Sequence, residues 1–278
     1  MNTYTSKQIA EDFKYLVKNL EEIHPNPFLF TSKDHLEKAL DNLALRSEDA
    51  EEITLYFGLM KIFSKMKDSH TRVKGITEIL SKKKYPFRLK FLNDRYYLSS
   101  INSNMKENIG SQIISLNNHP IDNIVSKMSE VITHENEVVL QNAIEQWMFE
   151  PDFLKYLDIV DESLSLEIQT ENKVLSLVPS EISEDELCNP REENIKNSET
   201  LNPKGLYWTK YFEDLKTYYL QYNECEDIKE EEIKGIIKEI AEKDTQFVVV
   251  DLRNNLGGSS SILDPLTKFL FDNQDKYT

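Results

Sequence analysis

Apolar residues recur every three or four positions through most of the first 75 residues, which is the spacing of amphipathic helices. Ser32 precedes the second such segment and is a typical N-cap residue. Pro25 and Pro27 end the first segment, because proline lacks a backbone donor and restrains the residue before it. The predicted helices cover residues 6–23, Lys33–Leu45 and Ala50–Met66. This pattern predicts an N-terminal helical domain over residues 1–75.

The spacing changes to period two after residue 76, which favours strands. Asn93-Asp94 separates two alternating segments and predicts a hairpin turn. The predicted strands are Tyr85–Phe91, Arg95–Ser99, Gly110–Leu116, 164–168 and 173–178. Helices are expected from Ile121 and over residues 138–149. Residues 76–180 therefore form a second predicted domain, which mixes strands and helices.

Residues 181–204 are rich in acidic residues, Asn, Ser and Pro, and predict a solvated linker. Structure resumes in residues 205–278, where strand, helix, strand, turn and helix follow one another. The predicted elements are a strand at Lys216–Tyr222, a helix at Glu230–Lys243, a strand at Phe247–Leu252 covered on both faces, and a helix capped by Ser259 or Ser260 that reaches Phe271. This order is typical of an α/β arrangement, and the chain as a whole is expected to be α+β.

The formal net charge of −16 disfavours binding to nucleic acid or to anionic lipid surfaces. Cys188 and Cys225 have no metal-ligand spacing, and the five histidines are scattered, so neither a metal site nor a cofactor is expected. No apolar run approaches the length of a membrane span. The N-terminus lacks an apolar signal-peptide core, which favours a cytoplasmic protein, or a secreted or periplasmic one whose export signal has been removed.

The segment Asp251–Gly258 follows an apolar strand and ends in two adjacent glycines. In α/β proteins, ligands bind where strands end. Glycines allow positive φ and close approach of a substrate, and backbone N–H groups before a helix favour negative charge. These properties suit an oxyanion hole. A plain tight turn, with glycines only for geometry, is the alternative.

The motif Asp-Leu-Arg-Asn-Asn-x-Gly-Gly after a strand resembles the signature of the tail-specific, or C-terminal processing, serine protease family, to which the tricorn protease core is related. The resemblance implies a crotonase-like ββα core over residues 205–278. It also implies that Gly257 and Gly258 polarise the substrate carbonyl, while Asp251, Arg253 and Asn255 brace the turn.

A second segment, Asp68-Ser69-His70-Thr71, is similar to the Asp-x-His-Thr segment that follows the helical bundle in tricorn-like members. The resemblance implies that His70 is the general base, that Ser69 belongs to its relay and that Asp68 supports it. Imidazole suits this role because it titrates near neutral pH. The alternative is a histidine that caps the end of a helix.

A third segment, Gly110–Ile121, is similar to part of the PDZ-like domain in this family. Such domains bind extended peptide tails by strand addition. Asn118 stands where the family usually has glycine, and Asn tolerates left-handed backbone. Residues 76–180 are therefore expected either to bind peptide or only to pack on the protease core.

The resemblance fails where the nucleophile is expected. In the family, the nucleophilic serine follows a further strand after the Gly-Gly helix, and this sequence ends at Thr278. Ser259, Ser260 and Ser261 are better suited to helix capping than to nucleophilic attack. Three explanations stay open: the sequence is a fragment of a longer product, a C-terminal segment on a second polypeptide completes it, or it dimerises.

Three functions are compatible with these features. The first is a serine peptidase that cleaves peptides or unfolded proteins by acyl transfer and is inactive as this chain alone. The second is a non-catalytic module that binds a peptide or hydrophobic ligand, as the related retinoid-binding repeats do. The third is a scaffold with other partners. The first predicts that His70 and Gly257 meet at one cleft, and the third predicts that they do not.

Overall fold

A computed structural model describes residues 4–47, 50–180, 182–183, 205–226, 228–253, 255 and 257–277. The chain divides into two compact units, residues 1–189 and 190–278. Most of the predicted linker 181–204 lies outside the described residues; Ile182–Ser183 within it form a short strand. The boundaries of the four predicted segments stay predictions.

The first unit begins with three helices whose starts follow from the sequence. They are α1 (Ser6–Ile23), α2 (Lys33–Leu45) and α3 (Glu52–Phe63). The Thr5 side chain accepts a hydrogen bond from the Gln8 N–H at the start of α1, and Gln8 reaches back to the Thr5 N–H to complete a capping box. Ser32 caps α2 in the predicted way. Buried residues of α1 and α2 form a small core between these helices, with Ile9, Phe13 and Leu40 among them.

The third helix ends earlier than the apolar pattern predicts. Regular α-helix stops at Phe63, and a single 3-10 turn continues over Ser64–Met66. Lys67 then adopts a left-handed conformation with φ of 52°. A non-glycine residue in this region breaks the helix direction, so the segment that carries Asp68 to Thr71 leaves as a loop.

The strands of the first unit form an antiparallel sheet with neighbour order β2-β3-β4-β6-β7, in which β5 pairs with β4. The strands are β1 (Lys83–Lys84), β2 (Phe87–Leu92), β3 (Arg95–Ile101), β4 (Gln112–Leu116), β5 (His119–Pro120), β6 (Leu166–Gln169), β7 (Val174–Leu177) and β8 (Ile182–Ser183). β1 pairs with β8 in a separate two-stranded ladder. Asn93 and Asp94 both have positive φ between β2 and β3, as a two-residue hairpin turn requires.

Helices α4 (Ile121–Ser129), α5 (Glu137–Trp147) and α6 (Pro151–Tyr156) complete the first unit. The sequence pattern does not predict α6, which is a short helix that starts with proline. One hydrophobic core joins this region to α3, because Phe57 belongs to the same cluster of buried residues as Ile113, Ile144 and Phe153. The ring of Phe57 lies 5.1 Å from that of Phe153.

The second unit contains a three-stranded sheet of order β11-β10-β9. Its elements are β9 (Tyr207–Phe212), β10 (Thr217–Tyr222), α7 (Glu230–Glu242), β11 (Phe247–Asp251) and α8 (Asp264–Asp272). β10 and β11 run parallel with α7 between them in sequence, whereas β9 is an antiparallel neighbour of β10. The sequence pattern does not predict β9. Buried residues of β10, α7 and α8 form the core.

The expectation that both faces of β11 are covered is wrong. Val248 and Val250 pack against the core, whereas Phe247 and Val249 are 45% and 42% exposed. β11 lies at the end of the sheet order, and among the described strands only β10 pairs with it. A continuous apolar run therefore marks a strand with one open face and one open edge.

The last helix also starts differently from the prediction. A 3-10 turn covers Ser260–Leu263 before α8 begins at Asp264 with Pro265 in its first turn. The Ser259 side chain makes no capping hydrogen bond, and its hydroxyl lies 2.9 Å from that of Ser261. The described residues contain no helix with the length and apolar character needed to cross a membrane.

Candidate active site

Asp68 is the hub of the loop that follows α3. Its Oδ2 atom lies 3.0 Å from His24 Nε2 and accepts a 2.7 Å hydrogen bond from the Thr71 hydroxyl. Its Oδ1 atom accepts a 3.0 Å hydrogen bond from the His70 backbone N–H. The carboxylate therefore ties the loop to the end of α1 and fixes the backbone at His70.

The hydrogen bonds from Thr71 and His24 lower the pKa of Asp68 to about 2, because they favour the charged form. At neutral pH the carboxylate is ionised. The Asp68 carboxylate accepts hydrogen bonds from the His70 N–H and the Thr71 hydroxyl of the loop. The charged form of Asp68 therefore holds the loop in this conformation.

The His70 imidazole points away from this network. Its Nδ1 atom lies 3.7 Å from Asp68 Oδ1, and its side chain is 93% exposed. That separation is too long for a hydrogen bond. Because the preceding 3-10 turn ends at Met66, His70 is not placed as a helix cap. Asp68 therefore fixes the backbone of His70, while the imidazole ring of His70 is exposed and open to an incoming group.

Ser69 is bound to Glu135 rather than to His70. The Ser69 N–H donates to Glu135 Oε2 at 3.1 Å. Hydrogen bonding from the Ser69 hydroxyl lowers the pKa of Glu135. The relay role of Ser69 stays a prediction.

Sequence reasoning misses two partners of this loop. It treats His24 only as one of five scattered histidines, and it does not single out Glu135. Both residues are polar and lie next to a helix end, which the sequence could have indicated. Only the fold shows that both contact the loop after α3. His24 and Asp68 are 44 positions apart in the chain.

In the second unit, Asp251 organises the turn after β11. Its side chain is only 6% exposed and forms an ion pair with Arg253, in which Nη2 lies 2.6 Å from Oδ2. The Arg253 backbone N–H donates to Asp251 Oδ1 at 2.9 Å, and the Tyr219 hydroxyl donates to Oδ2. The Arg253 hydrogen bonds hold the pKa of Asp251 well below its usual range. These contacts hold the start of the turn, and the bracing role of Asp251 and Arg253 stays a prediction.

Asn255 connects the turn to β10 and to the glycines. Its Nδ2 donates to the Tyr222 carbonyl at 3.1 Å, and its Oδ1 accepts a 2.7 Å hydrogen bond from the Gly257 N–H. The Gly257 carbonyl accepts from the Cys225 N–H, and the Ser259 N–H donates to the Cys225 carbonyl. Within the described residues, the Gly258 N–H makes no hydrogen bond. Of the two predicted oxyanion donors, Gly257 is therefore engaged and Gly258 is open.

The structure brings the predicted site residues together in two separate groups. Asp68, Ser69 and His70 belong to the first unit, whereas the turn from Asp251 to Gly258 belongs to the second. The approach of His70 to Gly257 stays a prediction. Among the described residues, no group of three His, Cys, Asp or Glu side chains could hold a metal ion.

Replacing Asp251 by asparagine is expected to destabilise the second unit by about 2–3 kcal/mol at neutral pH, because the bidentate ion pair and a buried acceptor are lost. The pKa of this carboxyl is lowered on folding. Its stabilisation is therefore complete above the unfolded value of about 4 and is lost as the pH falls below it. Urea unfolding at pH 7 and pH 3, followed by Trp208 fluorescence in a Trp147→Phe background, measures both effects.

Asp244→Asn is the matched control for this experiment, because Asp244 is an exposed carboxylate of the same unit, paired with Lys216. Exposed pairs contribute little. The wild-type protein and Asp251→Asn should therefore differ less at pH 3 than at pH 7, while Asp244→Asn stays close to wild type throughout. An equal loss in the two variants would contradict the bracing role.

A sequence model of the PDZ domain family matches residues 81–178. This range contains the sheet from β2 to β7 together with α4, α5 and α6. The middle part of the chain is therefore a PDZ domain. No curated protein matches the chain in sequence.

Among solved structures, mature CPAF complexed with lactacystin matches with a TM-score of 0.63 and 14% sequence identity, over 94% of this chain and 59% of that chain. Mature CPAF in a second structure gives a TM-score of 0.57 with 16% identity, over 92% and 56% of the two chains. The fold is thus similar to that of CPAF, and the chain spans less than two thirds of the CPAF length. A likeness to the photosystem II D1 C-terminal processing protease has a TM-score of only 0.37, with 10% identity, and supports no inference.

Proposed function

We propose that this chain is the helical, PDZ and oxyanion-binding part of a serine peptidase of the tail-specific type. His70 is the general base, Ser69 belongs to its relay, and Asp68 holds the loop that carries both. Gly257 and Gly258 polarise the substrate carbonyl in a crotonase-like core. The observation that carries the proposal is an exposed imidazole on an anchored Asp-Ser-His-Thr loop, within a chain whose fold is similar to that of CPAF.

The described contacts refine the oxyanion part of the proposal. The Gly258 N–H is the donor that they leave open, whereas the Gly257 N–H is held by Asn255. Binding of a developing oxyanion by both amides requires the Asn255 side chain to release Gly257. Donors aimed at the transition-state charge are worth about 3–4 kcal/mol each in comparable sites, which is enough to offset one amide hydrogen bond.

The nucleophile is proposed to come from residues outside Met1–Thr278, on the same or a second polypeptide. The second edge and the exposed face of β11 support this proposal, because a parallel strand with apolar residues on its outer face is normally covered, and among the described strands only β10 pairs with β11. A strand that carries the serine would pair there. Dimerisation through the same edge is the alternative that an oligomer measurement distinguishes.

The test compares the 278-residue chain with the polypeptide read to the end of its reading frame, here called the complete protein. The chain alone is expected to give no hydrolysis of an unstructured fluorogenic peptide. The complete protein is expected to hydrolyse the peptide, and a serine-reactive fluorophosphonate is expected to label it at a residue outside Met1–Thr278. Activity of the chain alone that is lost in His70→Ala would overturn the assignment of the nucleophile.

A non-catalytic peptide-binding module is the second candidate, and the PDZ domain at residues 81–178 favours it. In this case the complete protein binds peptides without cleaving them, and fluorophosphonate labels no serine. A stop codon directly after Thr278 would favour this candidate over the peptidase.

A further inference from the structure

The outer edge of β2 is the place where a peptide would join the PDZ sheet. β2 lies at one end of the sheet order, with β3 on its inner side and α5 alongside it. PDZ domains bind extended peptides by adding a strand to an exposed edge, through backbone hydrogen bonds. The groove between β2 and α5 is therefore the candidate peptide-binding surface of this domain.

Two side chains of this protein already bind backbone groups along that strand. The Phe91 N–H donates to Glu145 Oε1 at 2.9 Å, and the Phe87 carbonyl accepts from Arg88 Nη1 at 3.0 Å. Glu145 stands on α5 and takes the position that the carbonyl of an added strand would take. An incoming peptide must displace this carboxylate before it can pair with Phe91.

The displaced carboxylate would lose its hydrogen bond with the backbone of β2. Tyr96 lies opposite Phe91 in the strand pairing. Burial raises the pKa of its hydroxyl to about 12, and the nearby carboxylates of Glu145, Glu137 and Asp122 contribute to the rise. Lys90 is the cation that pairs with Glu145, at 2.6 Å, and its side chain is 57% exposed. Glu145 is therefore the carboxylate that hydrogen bonds place at the edge of β2 where a ligand would lie.

We propose that the groove between β2 and α5 binds an internal, extended peptide segment that places a Lys or Arg side chain beside Glu145. A carbonyl of the peptide takes over the Phe91 N–H, and its ammonium or guanidinium group restores the hydrogen bond that Glu145 loses. An acidic side chain, or a free C-terminal carboxylate at this position, would be repelled by the like charge of Glu145 instead. The proposal rests on the PDZ domain and not on the peptidase function, so either can fail without the other.

The experiment measures fluorescence anisotropy of labelled dodecapeptides with the 278-residue chain. The peptides alternate Val and Thr, are amidated at the C-terminus, and carry one Lys or one Glu that moves along the series. We expect the best Lys peptide to bind about tenfold more tightly than its Glu counterpart, in line with one charge pair. No binding, equal binding, or tighter binding of peptides with a free C-terminal carboxylate would overturn the proposal.

Glu145→Gln removes the charge but keeps an oxygen that can accept from the Phe91 N–H. It is expected to abolish the preference for Lys over Glu, and its thermal unfolding confirms that it is folded. Glu171→Gln is the matched control, because Glu171 is an exposed acid in the turn between β6 and β7 of the same domain. Loss of the preference in both variants, or in neither, would count against a role of Glu145.

Lys90→Met supplies a second variant that does not endanger the fold, because this side chain is largely exposed. Without its own cation, Glu145 is expected to bind Lys peptides several-fold more tightly, while the affinity for Glu peptides stays low. Unchanged or weaker binding of the Lys peptides by Lys90→Met would show that Glu145 does not select the ligand.

Discussion

The complete protein with His70→Ala is expected to hydrolyse an unstructured peptide about a thousandfold more slowly than wild type, or slower still, because the serine loses the base that takes its proton. The imidazole is the group of the Asp-Ser-His-Thr loop that stays open to a partner, whereas Asp68 and Ser69 are already engaged. Substrate binding through the PDZ domain should stay unchanged. Steady-state kinetics would therefore show the loss in kcat rather than in KM.

His35→Ala is the matched control for His70→Ala. His35 is another exposed histidine of the first unit and lies on α2. Wild-type activity in His35→Ala together with loss in His70→Ala would assign the base. Retained activity in His70→Ala would remove this residue from the mechanism, and spin-label distances between positions 70 and 257 would then tell whether the two loops face one cleft.

The Gly258→Ala variant is expected to lose about 3–5 kcal/mol of stability in the second unit. Gly258 has φ of 118°, and a Cβ atom there would lie 2.8 Å from the carbonyl carbon of Cys225 and closer still to its oxygen. Both obstacles are backbone atoms that are held in a short parallel bridge. The turn cannot accept a side chain at this position unless it moves away from the backbone of Cys225.

Gly257→Ala is the internal comparison, because Gly257 has φ of 101° but a Cβ atom added there would meet no neighbouring atom within 4 Å. Only backbone strain applies, so the expected cost is about 1–2 kcal/mol. Amide hydrogen exchange in β10 and β11 would measure the two costs separately from the first unit. Equal effects of the two substitutions would mean that the close approach to Cys225 does not exist in solution.

The local parts of both candidate loops follow from the sequence. The pattern predicts the Gly-Gly turn directly after an apolar strand, and the structure has it there, with positive φ at Gly257 and Gly258. The pattern also predicts the Asp-Ser-His-Thr segment at the end of the third helix, and the segment leaves that helix through the left-handed Lys67. The Gly-Gly turn and the end of the third helix depend on residues a few positions apart in the sequence, so a local sequence pattern can predict them.

The partners of these loops do not follow from the sequence. The contact between His24 and Asp68 joins α1 to the loop after α3, and Tyr219 reaches Asp251 from the neighbouring strand. Each depends on how the chain returns on itself. The same reason explains why the continuous apolar run of β11 wrongly predicts a fully covered strand, since coverage depends on neighbours that the segment does not contain.

By itself, the sequence determined most of the helices, the Asn93-Asp94 hairpin, the strand-like middle region and the positions of the two motifs, because spacing, capping and turn preference act between near neighbours. Only the tertiary structure decided that Ser69 binds Glu135 and that Glu145 occupies the edge of β2. These two contacts join side chains to backbone amides that the fold brings within hydrogen-bond distance. That distance is a property of the packed chain and not of its local pattern.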